Sequence, residues 1–182
     1  GIRTLLIVIA VIDFAANGVF GVGLPTLVHG RFGTGASGLG ILFAAWGLGA
    51  TAGALGSGFV PPPKRLGWLI IALCVWLGAG VGVVGLVPSL APAAIAMGVS
   101  GIGTGVVNTY GISWLQRRPE PAMQGRVMSL VMLASMGLTP VSYAVSGVIA
   151  QLNPTLLFLI AGGMILACGA GAAASRHVRA LT

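Results

Sequence analysis

Apolar residues along this chain come in long runs rather than in the one-sided stripes of a soluble helix. Six runs, at residues 5–28, 38–60, 66–87, 91–115, 127–150 and 154–174, are each close to the ~20 residues a helix needs to cross a bilayer's hydrocarbon core. Turn formers and charges separate them: Gly30-Arg31-Phe32-Gly33, Pro61-Pro62-Pro63-Lys64-Arg65, Pro88 and Pro92, Arg117-Arg118-Pro119, and Asn153-Pro154. The pattern predicts an all-α polytopic membrane protein, one domain over residues 1–182 with six transmembrane helices. Arg3 followed by Leu5–Ile12 has the outline of a signal peptide, but the apolar stretch runs on to Val28 and is read as a span.

Polar side chains are costly in lipid and face a bundle interior or an aqueous cavity, so their distribution among the spans is informative. The first span carries Asp13, Asn17 and Thr26, and the second Thr51 and Ser57. The fourth carries Ser100, Thr104, Asn108, Thr109 and Ser113; the fifth carries Ser129, Ser135, Thr139, Ser142 and Ser146. The third and sixth have almost none. The order polar, polar, apolar therefore occurs twice, as expected of a 3+3 inverted repeat in which some helices line a pathway and others seal it.

Composition sharpens this picture. Residues of the apolar set make up 57% of the 182, and charged residues 6%, whereas a soluble domain carries about a quarter charged. Nine Lys+Arg against two Asp+Glu gives a net charge of +7, but the bases are too scattered to track nucleic-acid phosphates, and no nucleic-acid partner is expected. With alternating sides, Arg3, Lys64, Arg65, Arg117, Arg118, Arg126, Arg176 and Arg179 share one face, and only Arg31 lies on the other. The positive-inside rule makes the crowded face cytoplasmic, with both termini on it. One Lys among nine basic residues, with abundant Ala, Gly and Val, suggests a GC-rich bacterial genome and hence the plasma (inner) membrane. Cys74 and Cys168 lie inside apolar runs away from any histidine cluster, so neither a metal nor a disulfide framework is expected, and no cofactor is indicated.

Spacing then picks out candidates. Ser100, Thr104 and Asn108 follow one another at four-residue steps and make one polar stripe on the fourth span. Asp13, Asn17, Phe20 and Leu24 make a mixed stripe on the first. Facing each other, the two would bound a substrate cavity with an ionisable end and an aromatic wall, to which Trp46 also belongs. For any single Ser or Thr, a bond to its own helix carbonyl is the simpler reading. Asp13 is the only acid within a span, since Glu120 sits in a loop. Burial disfavours the charged form of an acid, which suits a proton relay or a site for a cationic substrate; the structural alternative is a bond to Asn17 or to a neighbouring helix.

Three short motifs describe packing rather than chemistry. Gly98-Val99-Ser100-Gly101 matches the GxSG string of intramembrane serine proteases, but that chemistry needs a base within reach of the serine. His29 and His177 lie near opposite faces, and no enzyme activity is expected. Gly101-Ile102-Gly103-Thr104-Gly105 sits mid-membrane without the strand that a nucleotide loop requires. Its glycines, like Gly49, Gly53 and Ser57 on the second span, are expected to allow close helix approach. Pro25 and Pro140 are expected to bend their helices.

Ser37-Gly38-Leu39-Gly40-Ile41-Leu42-Phe43-Ala44-Ala45-Trp46-Gly47-Leu48-Gly49-Ala50 resembles the eighth helix of major facilitator superfamily exporters, and Leu24-Pro25 is typical of the helix before it. The segment Leu115-Gln116-Arg117-Arg118-Pro119-Glu120-Pro121-Ala122-Met123-Gln124-Gly125-Arg126-Val127-Met128-Ser129-Leu130 resembles the cytoplasmic connection between the tenth and eleventh helices in the drug and siderophore efflux branch. The family's basic motif after the eighth helix often has an Asp before its Arg/Lys cluster; Val60-Pro61-Pro62-Pro63-Lys64-Arg65 has none. The resemblance implies the carboxy-terminal half of a twelve-helix antiporter that rocks around a midplane site, the amino-terminal six helices being its partner. It further implies proton-driven multidrug-type efflux of small amphipathic compounds. On spacing and polarity, Asp13, Asn17, Phe20, Trp46, Ser100, Thr104 and Asn108 would line the cavity, with Asp13 as the proton-coupling candidate; the resemblance does not itself give Asp13 that role, since the family's coupling carboxylates commonly lie in the amino-terminal half. Lys64, Arg65, Arg117, Arg118, Glu120 and Arg126 would form the inner-face gate. The start at Gly1 fits a fragment. The competing expectation is a self-contained six-helix scaffold or homodimeric pore.

Overall fold

A computed structural model describes residues 2–59, 66–117, 129, 132, 133 and 137–174. These are helical almost throughout, with no strand among the described residues. Helix α1 begins as Ile2–Gly18 and continues to residue 32 through a wide π turn at Val19–Gly23, an α turn at Leu24–Leu27 and a second π turn at Val28–Phe32. It is followed by α2 (Gly35–Phe59), α3 (Leu66–Leu86), α4 (Leu90–Arg117), α5 (Thr139–Leu152) and α6 (Pro154–Ala174). Four stretches, Ala10–Phe32, Gly35–Phe59, Leu90–Tyr110 and Pro154–Gly171, are long and apolar enough to cross a membrane, and Ile71–Leu86 is a shorter apolar helix. By these lengths and compositions the chain is a helical membrane protein. Much of the stretch expected at 127–150 lies outside the described residues, and α5 accounts for its second half.

The helix ends follow from local chemistry. Gly33 closes α1 in the left-handed region, φ 62° and ψ 17°, and its N–H returns to the Val28 carbonyl. Gly35 also has a positive φ of 58°, so the α1–α2 turn uses the two conformations that glycine adopts without a Cβ penalty. At the α5–α6 corner, Asn153 Oδ1 accepts the Thr155 N–H at 2.9 Å, an N-cap bond. Pro154 follows at the first helical position, where its missing N–H is no loss. Arg31 ties this end of the bundle together. Its Nη1 donates to the Gly85 carbonyl at 2.7 Å and to the Val87 carbonyl at 3.4 Å, and its Nη2 donates to Thr155 Oγ1. The last carbonyls of α3 have no partner within their own helix and carry partial negative charge, so a guanidinium fork suits them.

Two close seams hold the helices. Along α2 and α4, which run parallel, a Cβ at Gly49 would overlap the Gly98 carbonyl, and one at Gly53 the Ile102 carbonyl. From the other side, Gly101 and Gly105 would overlap the carbonyls of Trp46 and Ala50. Bare backbones therefore touch where the sequence placed small residues, as tight helix association in lipid requires. At the far end, Tyr110 Oη donates to the Ser57 carbonyl at 2.9 Å. The antiparallel pair α3 and α6 is the second seam: a Cβ at Gly162 would lie 2.7 Å from the Gly78 carbonyl oxygen, and one at Gly169 would lie 2.8 Å from Cys74 Cβ. Helix α3 also packs on α4, and α1 packs on both α5 and α6.

Candidate functional site

Between α1 and α4 lies a cavity of about 350 Å³. From α1 it receives Ile12, Asp13, Ala16, Asn17, Val19 and Phe20; from α2, Trp46; and from α4, Met97, Ser100, Thr104, Val107 and Asn108. The seven residues that sequence reasoning named for a cavity thus border a single space, although they come from three helices.

The π turn shapes the α1 wall. Pro25 has no N–H to donate to the carbonyl four residues earlier, and just before it the Leu24 N–H reaches back five residues to Val19. The extra residue in that turn shifts the helix register. Asp13, Asn17 and Phe20 face the cavity, but Leu24, expected on the same stripe, is 0% exposed in the core. Phe20 meets Trp46 edge-on, with ring centroids 5.2 Å apart at 66°, and stacks on Phe43 at 5.8 Å. These geometries are the favoured ones for aromatic pairs and make one apolar corner.

Two bonding patterns account for most of the helix hydroxyl groups described. Thr26, Thr51, Ser57, Thr104, Thr109 and Ser113 donate to the carbonyl four residues earlier in their own helix, the simpler reading of such residues. Ser142 instead donates across helices to the Phe14 carbonyl at 2.6 Å, and it sits where Gly18 leaves room for both Ser142 and Ser146. Ser100 follows neither pattern: its residue is 6% exposed and its Oγ has no hydrogen-bond partner among the described residues.

The far wall was not legible in the sequence. Leu77, Val81 and Val84 of α3 and Phe158 and Ile165 of α6 also border the cavity, although the absence of polar residues had assigned these helices to sealing. A search for polar residues inside spans cannot detect an apolar cavity wall. Lys64, Arg65, Arg118, Glu120 and Arg126 lie outside the described residues, and Arg117 is the last residue of α4. Cys74 and Cys168 are free thiols on the facing helices α3 and α6. Among the described residues, no three His, Cys, Asp or Glu side chains come together as a metal site.

No family model matches the chain, and no curated protein is significantly similar to it.

Proposed function

We propose that this chain is the carboxy-terminal, six-helix half of a major facilitator exporter of the drug and siderophore branch. It would sit in a bacterial plasma membrane with both termini cytoplasmic, and export small amphipathic compounds by alternating access against an inward proton flow. The observation that carries the reading is the convergence of Asp13, Asn17, Phe20, Trp46, Ser100, Thr104 and Asn108 on one cavity. Its volume falls within the 300–1,000 Å³ usual for small-molecule sites, which are mostly apolar with a few placed polar groups.

The pattern of helix neighbours supports a 3+3 inverted repeat. Exchanging α1 with α4, α2 with α5 and α3 with α6 turns the parallel pair α2·α4 into α5·α1. It turns α3·α4 into α6·α1, and the antiparallel α3·α6 into itself; each of these contacts is present. In this reading Asp13 takes up and releases the proton. Lys64, Arg65, Arg117, Arg118, Glu120 and Arg126 pair charges at the inner face in one access state. Proton-gradient-driven dye efflux from vesicles holding the complete protein tests the proposal. Asp13→Asn is expected to abolish the gradient dependence, and undiminished coupling would remove Asp13 from the mechanism. Efflux by the 182-residue chain alone, as a homodimer, would replace the half-transporter by a self-contained one.

A further inference from the structure

Asn108 differs from the other polar residues that border the cavity. Asp13 and Asn17 have partners, Thr104 donates its proton to the Ser100 carbonyl at 3.2 Å, and Ser100 Oγ is buried against Gly80. Asn108 is exposed and borders the cavity, and no hydrogen bond holds its amide among the described residues. It lies within the apolar stretch Leu90–Tyr110, where a polar group usually marks a pathway or a site.

The cavity has an aromatic end and a polar end. Phe20 and Trp46 pair at the first. On α4 the stretch beside Trp46 is Gly98 to Gly101, because a Cβ at Gly101 would overlap the Trp46 carbonyl and Gly49, one turn on, meets that of Gly98. Asn108 stands seven residues beyond Gly101, roughly 10 Å along the axis at 1.5 Å per residue. Thr104 lies one turn before it on the same face.

The bonding capacity at the polar end is specific. A carboxamide offers two N–H donors and a carbonyl acceptor, and Thr104 Oγ1, with its proton committed, can only accept. An ammonium brings donors alone and leaves the Asn108 N–H groups unanswered. A carboxylate brings acceptors alone, and its charge is penalised beside Leu77, Val81 and Val84. A primary carboxamide answers both residues. Its carbonyl accepts an Asn108 N–H, one of its own N–H groups donates to Asn108 Oδ1, and the second is left for Thr104 Oγ1 on the neighbouring turn.

We propose that Asn108 is the residue by which the cavity selects its ligand, and that the ligand is a neutral primary carboxamide joined by an apolar chain to an aromatic ring. The ring lies against Phe20 and Trp46, and the amide pairs with that of Asn108. This rests on the reading of the cavity as a ligand site. It adds a requirement that neither the charge of Asp13 nor the apolar lining supplies.

The test uses two probes of one shape, 6-phenylhexanamide and 7-phenylheptan-2-one, which differ only in an amino or a methyl group beside the carbonyl. Equilibrium binding is measured on the full chain in phospholipid nanodiscs, with partition into empty discs subtracted. The ratio of ketone to amide dissociation constants is expected to fall about fivefold from the parent to Asn108→Leu, the worth of one neutral hydrogen bond. Asn108→Ala, which adds no bulk, is expected to lower it as far. Phe20→Leu is expected to weaken both probes and keep the ratio. Thr51→Ala, whose hydroxyl is bonded to the Gly47 carbonyl, is expected to change neither. Because no bond is lost in the free protein, Asn108→Leu is also expected to melt no lower than the parent. A ratio unchanged in both Asn108 variants, undiminished affinity in Phe20→Leu, or a clear drop in the Asn108→Leu melting temperature would each overturn the inference and leave the cavity reading standing. No saturable binding of either probe would overturn the cavity reading and the inference with it.

Discussion

At Gly101 the nearest obstacle to a side chain is the Trp46 carbonyl oxygen, and at Gly105 it is that of Ala50. Neither backbone atom can rotate aside. Gly101→Leu is therefore expected to destabilise the bundle by ~2 kcal/mol or more, the usual cost of overpacking, as read by denaturant titration in detergent. Gly56 has nothing within 4 Å of a built Cβ, and Gly56→Ala in the same assay is expected to be neutral or stabilising by up to ~1 kcal/mol. Arg31 supplies a second contrast. Arg31→Ala is expected to speed amide exchange at the α3 C-terminus and at the start of α6, and Arg31→Lys to restore it only in part, since an ammonium lacks the planar fork. Residues such as Asp13 and Asn108 were legible in the sequence because a polar group inside an apolar run is conspicuous. The role of Arg31 was not: its partners Gly85 and Thr155 lie 54 and 124 positions away, and in sequence it is only a charge in a turn.

The helices themselves were readable because a membrane demands length and apolarity of each one, and these are local properties. Expected spans at 38–60 and 154–174 became Gly35–Phe59 and Pro154–Ala174, and the one expected at 66–87 is helical over Leu66–Leu86, with Ile71–Leu86 a shorter apolar helix. The small-residue steps at Gly49, Gly53 and Ser57 also did as expected and brought α2 onto α4. Periodicity failed at Leu24, because a π turn adds a residue that a 3.6-residue period does not count. Cross-helix bonding was equally hidden. Ser142 and Ser57 look alike in sequence, yet one bonds α1 and the other its own helix. Ser142→Ala is thus expected to lose about 1 kcal/mol of stability, the scale of an interhelical hydrogen bond in a membrane protein. Ser57→Ala is expected to lose less, in parallel unfolding titrations.

On the scale of the molecule, α2·α4 and α3·α4 have counterparts in α5·α1 and α6·α1 when the first three helices are swapped with the last three, whereas α5·α6 has no such counterpart among the described residues. The cavity lies between α1 and α4, with residues of both along its lining. Polarity along the chain did not reveal the contribution of α3 and α6 to the cavity, which needed the packing itself. Under the proposed function, this space is a water-accessible path inside a lipid-embedded bundle. Cysteine accessibility tests it most directly, in a background with Cys74 and Cys168 replaced. Cysteines at Asn17, Thr104 and Asn108 should react with a membrane-impermeant thiol reagent and be shielded by a bound aromatic probe. Cysteines at Leu48 and Leu55, which are 74% and 65% exposed on the outside of α2, should stay unreactive in lipid. Labelling at Leu48 and Leu55 as fast as at Asn108 would contradict the membrane embedding of α2, and an inert Asn108 site would contradict the pathway between α1 and α4.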